Sequence, residues 1–188
     1  MALGPQTNLA LALALEPRLT RLVHEVVFMG GAATVAGNVS PVAEANIHGD
    51  PEAADAVLEA DWPVTMVGLD VTRRTVMSAE FIEELGRGGT PAADLLRRIF
   101  PVYQASYESR YGLSGGTFTH DPSAIGYVID PSLFRVERWP MFVETEGRSA
   151  GHTVPDPHGY WGRRPAQNVC VEVDSPRLLS LIRERAAG

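Results

Sequence analysis

Short runs of consecutive apolar residues alternate along the chain with longer segments in which apolar residues recur every three or four positions. The short runs predict strands that are buried on both faces, and the longer periodicity predicts amphipathic helices. The predicted strands are residues 26–28, 64–67, 134–144 and 169–173. The predicted helices are residues 7–15, 51–60, 79–85, 91–111 and 175–187. This order predicts an α/β fold, in which a mostly parallel sheet is flanked by helices and is followed by additional C-terminal strands and a C-terminal helix.

Capping residues and prolines set the expected helix boundaries. Thr7 or Asn8 is expected to cap the first helix, which Pro17 interrupts. Ser175 is expected to cap the last helix, with Pro176 at its first position, where a missing N–H costs nothing. The apolar face predicted for the helix over 91–111 consists of Leu95, Leu96, Ile99, Phe100 and Tyr103. No repeat or linker divides the chain, so one domain is predicted.

The composition narrows the class of protein. Hydrophobic residues make up 45% and charged residues 21% of the 188 residues, which is ordinary for a globular domain. The net charge is -7 and all 16 basic residues are arginine, which argues against a nucleic-acid partner. The apolar run over residues 9–15 follows no basic segment and is too short to span a bilayer, so no membrane segment is expected. Cys170 is the only cysteine, and its apolar surroundings predict a buried thiol in a reducing, cytoplasmic compartment.

The strongest candidates for catalytic or binding residues lie in Thr119-His120-Asp121-Pro122, which follows a glycine-rich loop over 112–116. Histidine changes its charge nearest to neutral pH, and a neighbouring carboxylate can hold a hard cation or a sugar hydroxyl. Pro122 fits the first turn of a helix, and Asp121 lies where a helix cap or a metal ligand is expected. The pair alone is also consistent with a capped helix that carries a surface histidine.

Several separated motifs occur in one order along the chain. They are Leu3-Gly4-Pro5-Gln6-Thr7-Asn8, Phe28-Met29-Gly30-Gly31, Gly37-Asn38-Val39, Glu44-Ala45-Asn46, Asp50-Pro51-Glu52, Val67-Gly68-Leu69-Asp70-Val71-Thr72 and His120-Asp121-Pro122. Together they resemble the inosine-uridine preferring nucleoside hydrolases, and the resemblance runs nearly end to end. It implies a nucleoside salvage enzyme, a glycosidase that hydrolyses the N-glycosidic bond of ribonucleosides to free base and ribose.

One motif of that family is missing. Its members carry an aspartate-rich motif, Asp-x-Asp-x-Gly-x-Asp-Asp, which supplies most of the calcium ligands and the base for the attacking water. The chain contains no such motif and resembles roughly the C-terminal three-fifths of a full-length enzyme. We therefore expect residues 1–188 to form a single incomplete domain that is truncated or works beside a separately encoded N-terminal part. Catalysis is expected to require the missing segment.

The resemblance implies a role for each matched residue. The main-chain carbonyl of Thr7 and the carboxylate of Asp121 would bind calcium, weakly because most of the ion's usual oxygen ligands are missing. The residues implied in binding ribose are Asn38, Glu44, Asn46 and Asp121, with Met29 packed against the sugar. His120 would protonate the leaving base or contact it, and Tyr107 or Tyr111 would stack on the base.

Each role has a structural alternative. Asn38 could be a turn residue, Glu44 a solvated charge and Met29 a core residue. The spacing of Tyr107 and Tyr111, four positions apart, is equally consistent with the buried face of a helix. Ala45 departs from the family, where an aromatic residue commonly lies between this Glu and Asn, and the smaller side chain would loosen the wall beside the 5'-hydroxyl of ribose.

Two other classes of function remain open. The chain could be a nucleoside- or ribose-binding module without catalysis, or an inactive remnant that associates through an exposed sheet edge. If it belongs to an enzyme, we expect a ribonucleoside substrate, no nucleic acid or membrane partner, and a homo-oligomer at full length.

Overall fold

The computed structural model describes residues 1–187, so Gly188, the last residue of the predicted domain, lies outside the described residues. Seven strands are present in this range: β1 (Val26–Met29), β2 (Val64–Val67), β3 (Val76–Ser78), β4 (Gly116–Phe118), β5 (Phe134–Val143), β6 (Thr153–Pro155) and β7 (Ala166–Val173). Five of them form one sheet in the order β1-β2-β7-β5-β6, and β3 pairs with β4 in a separate two-stranded sheet.

The main sheet has a parallel part and an antiparallel part. Strands β1, β2 and β7 run parallel, with Val26 opposite Val64 and Met66 opposite Val169. Strand β5 joins β7 in antiparallel register, and β6 extends the sheet from β5 in the same way. Of the two predicted C-terminal strands, β7 therefore belongs to the parallel part and β5 to the antiparallel part, whereas β6 was not predicted.

Helices cover both faces of this sheet. They are α1 (Thr7–Leu15), α2 (Leu19–Leu22), α3 (Ala45–Gly49), α4 (Pro51–Glu59), α5 (Leu69–Thr72), α6 (Ala79–Gly86), α7 (Pro91–Tyr111), α8 (His120–Ile129) and α9 (Ser175–Ala187). All five predicted helices are present, and the predicted α/β class is confirmed. Helix α8 begins where Pro122 indicated a first helical turn. Helices α2, α3 and α5 were not predicted, because a helix of four or five residues is too short to show a period of 3.6.

Strand β1 shows how the sheet divides the core. Successive side chains of a strand point to opposite faces, so Val26 and Phe28 pack in a cluster with α4 and the partly buried side of α1. Val27 and Met29 point the other way and pack with α5, α8 and α9. All four residues are buried, as expected of a strand covered on both faces.

Two predicted helix caps are wrong. Helix α1 begins at Thr7, but the Thr7 hydroxyl donates to the carboxylate of Asp50 and makes no capping bond. In the last helix the cap is Asp174, whose Oδ1 accepts from the main-chain nitrogen of Arg177 at 3.1 Å, rather than Ser175. In α9 the carboxylate of Asp174 is the stronger acceptor and takes the capping position, whereas α1 has no side-chain cap.

The glycine-rich loop is present over residues 112–115, and it leads into a strand that the sequence did not predict. Strand β4 pairs antiparallel with β3, which places Gly116 opposite Ser78 and Phe118 opposite Val76. A Cβ at Gly116 would lie only 2.5 Å from Cγ1 of Val76, so this position requires glycine for close approach. The pairing fixes the segment that leads directly into His120.

Two helices keep much of their apolar surface in solvent. Helix α1 contains no buried residue, although Leu9, Ala10 and Leu13 pack partly against the core. In α7 the predicted apolar face buries Phe100, while Leu95 and Tyr103 are 56% and 58% exposed. The predicted face is therefore apolar, but only part of it is buried. No helix within the described range is long and apolar enough to cross a membrane.

Candidate functional site

A cavity of about 520 Å³ opens beside the carboxyl end of β1. Ligands of open α/β sheets bind outside the carboxyl ends of strands, so this is the expected place for a site. The cavity is lined by seven of the residues predicted from the sequence: Met29, Asn38, Glu44, Asn46, Tyr107, His120 and Asp121. Tyr111 and Thr7, the other two predicted residues, do not line it.

Glu44 is a buried carboxylate that is held by the main chain. It is 2% exposed, which excludes the solvated charge considered above. One of its oxygens, Oε2, accepts from the main-chain nitrogens of Gly31 at 3.0 Å, Asn46 at 2.9 Å and Ile47 at 3.2 Å. Burial raises the pKa of the Glu44 carboxyl, although these N–H donors act in the opposite direction. The other oxygen, Oε1, has no hydrogen-bond donor among the described residues.

The two asparagines each use half of their amide group inside the protein. Nδ2 of Asn46 donates to the main-chain oxygen of Met29 at 3.0 Å, which leaves Oδ1 as a free acceptor. Oδ1 of Asn38 accepts from the main-chain nitrogen of Ala45 at 2.9 Å, which leaves Nδ2 as a free donor. The cavity therefore offers both a donor and an acceptor to a polyhydroxylated ligand.

Two residues outside the predicted set hold the loop that carries Asn38. The buried carboxylate of Asp70 accepts from the main-chain nitrogens of Ala33 at 2.9 Å and Thr34 at 2.8 Å. Arg73 donates to the main-chain oxygen of Gly37 at 2.8 Å. The available signal was the motif over 67–72, in which Asp70 lies shortly after an apolar strand, with Arg73 just beyond it. Their partners lie more than thirty residues away in the chain.

His120 is the first residue of α8, and its side chain is fixed by α5. Its Nδ1 lies 2.8 Å from Oγ1 of Thr72, a residue that is completely buried. Burial, and secondarily the positive charge of Arg73, lower the pKa of His120 to about 4. The imidazole is therefore overwhelmingly neutral at neutral pH. This disfavours a proton stored on His120 for the leaving base and favours the other predicted role, contact with the base.

Aromatic rings form one side of the cavity. The ring centroids of Tyr107 and Phe118 are 5.7 Å apart, and those of Phe118 and His120 are 5.9 Å apart. Burial raises the pKa of the Tyr107 hydroxyl to about 12, so this phenol is always protonated at physiological pH. Tyr111 packs against Tyr107 at 5.3 Å, behind the lining residues. Phe118 was not predicted, because only the β3–β4 pairing brings it to the cavity.

The described residues do not fit a complete calcium site. They contain no group of three or more His, Cys, Asp or Glu side chains that could hold a metal ion. Asp121 is exposed in the cavity, and partial burial raises the pKa of its carboxyl. Thr7 does not line the cavity, and calcium commonly takes about 6–8 oxygen ligands, so these two residues would leave most of its coordination unfilled.

Comparison with known proteins places this chain in a family. The family model of the inosine-uridine preferring nucleoside hydrolases matches residues 1–180. The pyrimidine-specific ribonucleoside hydrolase RihA of Citrobacter koseri is 38% identical over 190 residues, which cover 100% of this chain and 60% of RihA. The probable uridine nucleosidase 2 of Arabidopsis thaliana is 37% identical over 98% of this chain and 59% of its own length. The structure of the purine-preferring ribonucleoside hydrolase from Gardnerella vaginalis has a TM-score of 0.91 at 36% identity, covering 98% of this chain and 58% of that one.

The fold and the position of the cavity are those of α/β proteins that bind a small ligand at the carboxyl ends of parallel strands. More narrowly, the chain belongs to the inosine-uridine preferring nucleoside hydrolase family. It spans about 60% of the length of the relatives it matches. The family resemblance drawn from the ordered motifs is thus confirmed.

Proposed function

We propose that the protein takes part in hydrolysis of the N-glycosidic bond of ribonucleosides, which releases free base and ribose. The observation that supports this most is that one cavity combines buried polar groups suited to a sugar with an aromatic side suited to a base. The relatives are named as ribonucleoside hydrolases, some pyrimidine-specific and others purine-preferring. The proposal therefore covers ribonucleosides of both base classes.

The ribose would be bound by the polar groups of the cavity. The proposed ribose ligands are Asn38, Glu44, Asn46 and Asp121, with Met29 packed beneath the sugar. The free donor on Asn38 and the free acceptor on Asn46 match the two hydrogen-bonding modes of a hydroxyl group. Because the rest of both amides is bound to the main chain, these groups are already oriented before a ligand arrives.

The base would lie against the aromatic side. Tyr107 lines the cavity and offers a ring for stacking, and Tyr111 supports Tyr107 from behind. His120 would contact the base through its neutral ring. A contact that strengthens as the glycosidic bond breaks lowers the barrier, because the departing base accumulates negative charge.

Activation of the attacking water needs groups beyond those that the described residues bring to the cavity. The family resemblance implies calcium for this step, and here the residues present do not form its site. We therefore propose that this chain binds ribonucleosides and that turnover depends on an aspartate-rich segment. A homo-oligomeric state and a cytoplasmic location also stay predictions.

A fusion experiment tests this function. An aspartate-rich N-terminal segment from a full-length family member is placed ahead of Met1, and release of ribose from uridine and inosine is measured. Activity should appear in the fusion and be at least about a hundredfold lower after Asp121→Asn, since an amide is a poorer ligand for a cation and places a donor where the carboxylate accepts. Asp94→Asn, an exposed carboxylate on α7, is the matched control and should leave activity unchanged.

A ribose-binding module without catalysis is the second candidate, and the lack of a metal-binding cluster among the described residues favours it. It predicts that a folded fusion still binds uridine or inosine and releases no ribose. A folded fusion that neither binds nor cleaves either nucleoside would contradict both candidates.

A further inference from the structure

The hydrogen bond between Thr72 and His120 links two elements that are distant in the chain. Thr72 ends α5, the one-turn helix that follows β2, while His120 begins α8. Their side chains meet at 2.8 Å between Oγ1 and Nδ1. Thr72 is 0% exposed, so water does not reach its hydroxyl group. The geometry permits either atom to be the donor, and the choice decides which nitrogen of His120 carries the proton.

Counting donors and acceptors resolves the choice. The Thr72 hydroxyl has no second acceptor among the described residues. If Nδ1–H donated to Thr72, the hydroxyl hydrogen would be buried without a partner, which is unfavourable. If Thr72 donates to Nδ1, both groups are satisfied and the single proton of the neutral ring lies on Nε2. The second arrangement leaves no buried donor unpaired.

The remaining contacts of the ring leave Nε2 for a ligand. Nδ1 is occupied by Thr72, and the aromatic rings of Phe118 and Tyr107 lie 5.9 Å and 6.3 Å from that of His120. No hydrogen-bond partner of Nε2 occurs in the described part of the chain, although His120 lines the cavity. A polar hydrogen in this position is available only to a molecule that enters the cavity.

We propose that Thr72 is a positioning residue that holds His120 in its Nε2–H tautomer, so that the ring donates a hydrogen bond to an acceptor atom on the nucleobase. The part of this inference that concerns the base rests on the proposed function, whereas the tautomer does not. Purines and pyrimidines both carry ring nitrogens or carbonyl oxygens that accept, so this contact does not require one base class.

The arrangement has a consequence for catalysis. A neutral N–H donor needs no stored proton, and its hydrogen bond strengthens as the departing base gains electron density. Arg73, next to Thr72, ties down the loop that leads to Asn38, so α5 supports both the base side and the ribose side of the cavity.

Nitrogen-15 NMR of the histidine side chains, at about pH 7.5 on residues 1–188, tests the tautomer directly. Loss of one set of signals in His120→Gln assigns the resonances of His120. In the unsubstituted chain Nε2 should be protonated, and Nδ1 should show the shift of a nitrogen that accepts a hydrogen bond. Thr72→Val should move the Nδ1 resonance to the value of an unbonded nitrogen, while Thr72→Ser, which keeps the hydroxyl, should restore it.

Thr75→Val provides the matched control. Thr75 is also fully buried, and its hydroxyl bonds to that of Ser175 at 2.7 Å rather than to His120. This variant should leave both His120 resonances unchanged. A protonated Nδ1 in the unsubstituted chain, or an Nδ1 resonance that Thr72→Val does not move, would overturn the tautomer assignment. The first of these readouts needs no substitution of Thr72, so it holds even if Thr72→Val fails to fold.

The contact with the base is tested in the active fusion. Thr72→Val should lower turnover of inosine and uridine about tenfold, and should affect a nitrophenyl riboside much less, because that leaving group needs no hydrogen bond. Adding Thr72→Val to His120→Ala should cause no further loss. An equal loss for both kinds of substrate would overturn the role toward the base, even with the tautomer established. Absence of activity in the unsubstituted fusion would instead count against the proposed function.

Discussion

Two sides of the cavity are built in different ways. The polar wall, Glu44 and Asn46, is fixed by hydrogen bonds to main-chain atoms, and Glu44 is almost completely buried. The aromatic wall consists of Tyr103, Tyr107 and Phe118; the rings of Tyr107 and Phe118 contact each other, and Tyr103 is 58% exposed. The polar side chains are therefore fixed by hydrogen bonds to the main chain, whereas the aromatic side chains have no such bonds within the described residues. Changes in the polar wall should affect stability, and changes in the aromatic wall should affect mainly ligand binding.

Glu44→Ala should produce the largest effect. The change removes the acceptor of three main-chain N–H groups and the cap of α3, and should lower the free energy of unfolding by about 2–4 kcal/mol. Urea denaturation followed by circular dichroism measures this change. Glu52→Ala, an exposed glutamate in the first turn of α4, is the matched control and should stay within about 0.5 kcal/mol of the unsubstituted chain. Equal effects of the two substitutions would contradict the structural role of the polar wall.

Tyr107→Leu should have an intermediate effect, on binding rather than on stability. Stacking of a base on an aromatic ring contributes about 1–3 kcal/mol, so affinity for inosine should fall roughly tenfold. The change in the free energy of unfolding should stay below about 1 kcal/mol, because Tyr107 is half-buried at the surface of α7. NMR titration with inosine gives the affinity.

Tyr103→Leu is the comparison for that experiment. Tyr103 also lines the cavity but is the more exposed of the two rings, so its replacement should weaken binding by less than Tyr107→Leu. A larger loss with Tyr103→Leu would place the base nearer the start of α7 than we propose.

The smallest effect is expected from the protonation of Glu44. Burial raises the pKa of this carboxyl in the folded protein, so the folded state holds the proton more tightly than the unfolded chain does. The stabilisation from the protonated form is complete below the unfolded pKa and is lost as the pH rises through the folded pKa. Glu44→Gln keeps an acceptor for the N–H groups and cannot ionise. Its stability relative to the unsubstituted chain should therefore rise from about pH 4 to pH 7, measured by urea denaturation.

The polar wall could be predicted from the sequence better than the aromatic wall. Glu44 and Asn46 occur two positions apart in one motif, and a local hydrogen bond joins the carboxylate of one to the main chain of the other. Tyr107 and Tyr111 were predicted to share a helix face, and they do, but helix periodicity does not distinguish a face against the core from a face against a cavity. Their partner Phe118 reaches the cavity only through the β3–β4 pairing, which joins segments about forty residues apart.

By itself, the sequence determined the α/β class, the positions of the strands in the parallel part of the sheet, and all five of the longer predicted helices, because burial on one or both faces leaves a local periodic pattern. Through its ordered motifs it also determined the family. Only the tertiary structure decided three further features: the cap at Asp174 with the missing cap at Thr7, the lowered pKa of His120, and the hydrogen bond between Thr72 and His120. These features depend on the distance between groups far apart in the chain and on how much water reaches them, and neither quantity is encoded in a local pattern.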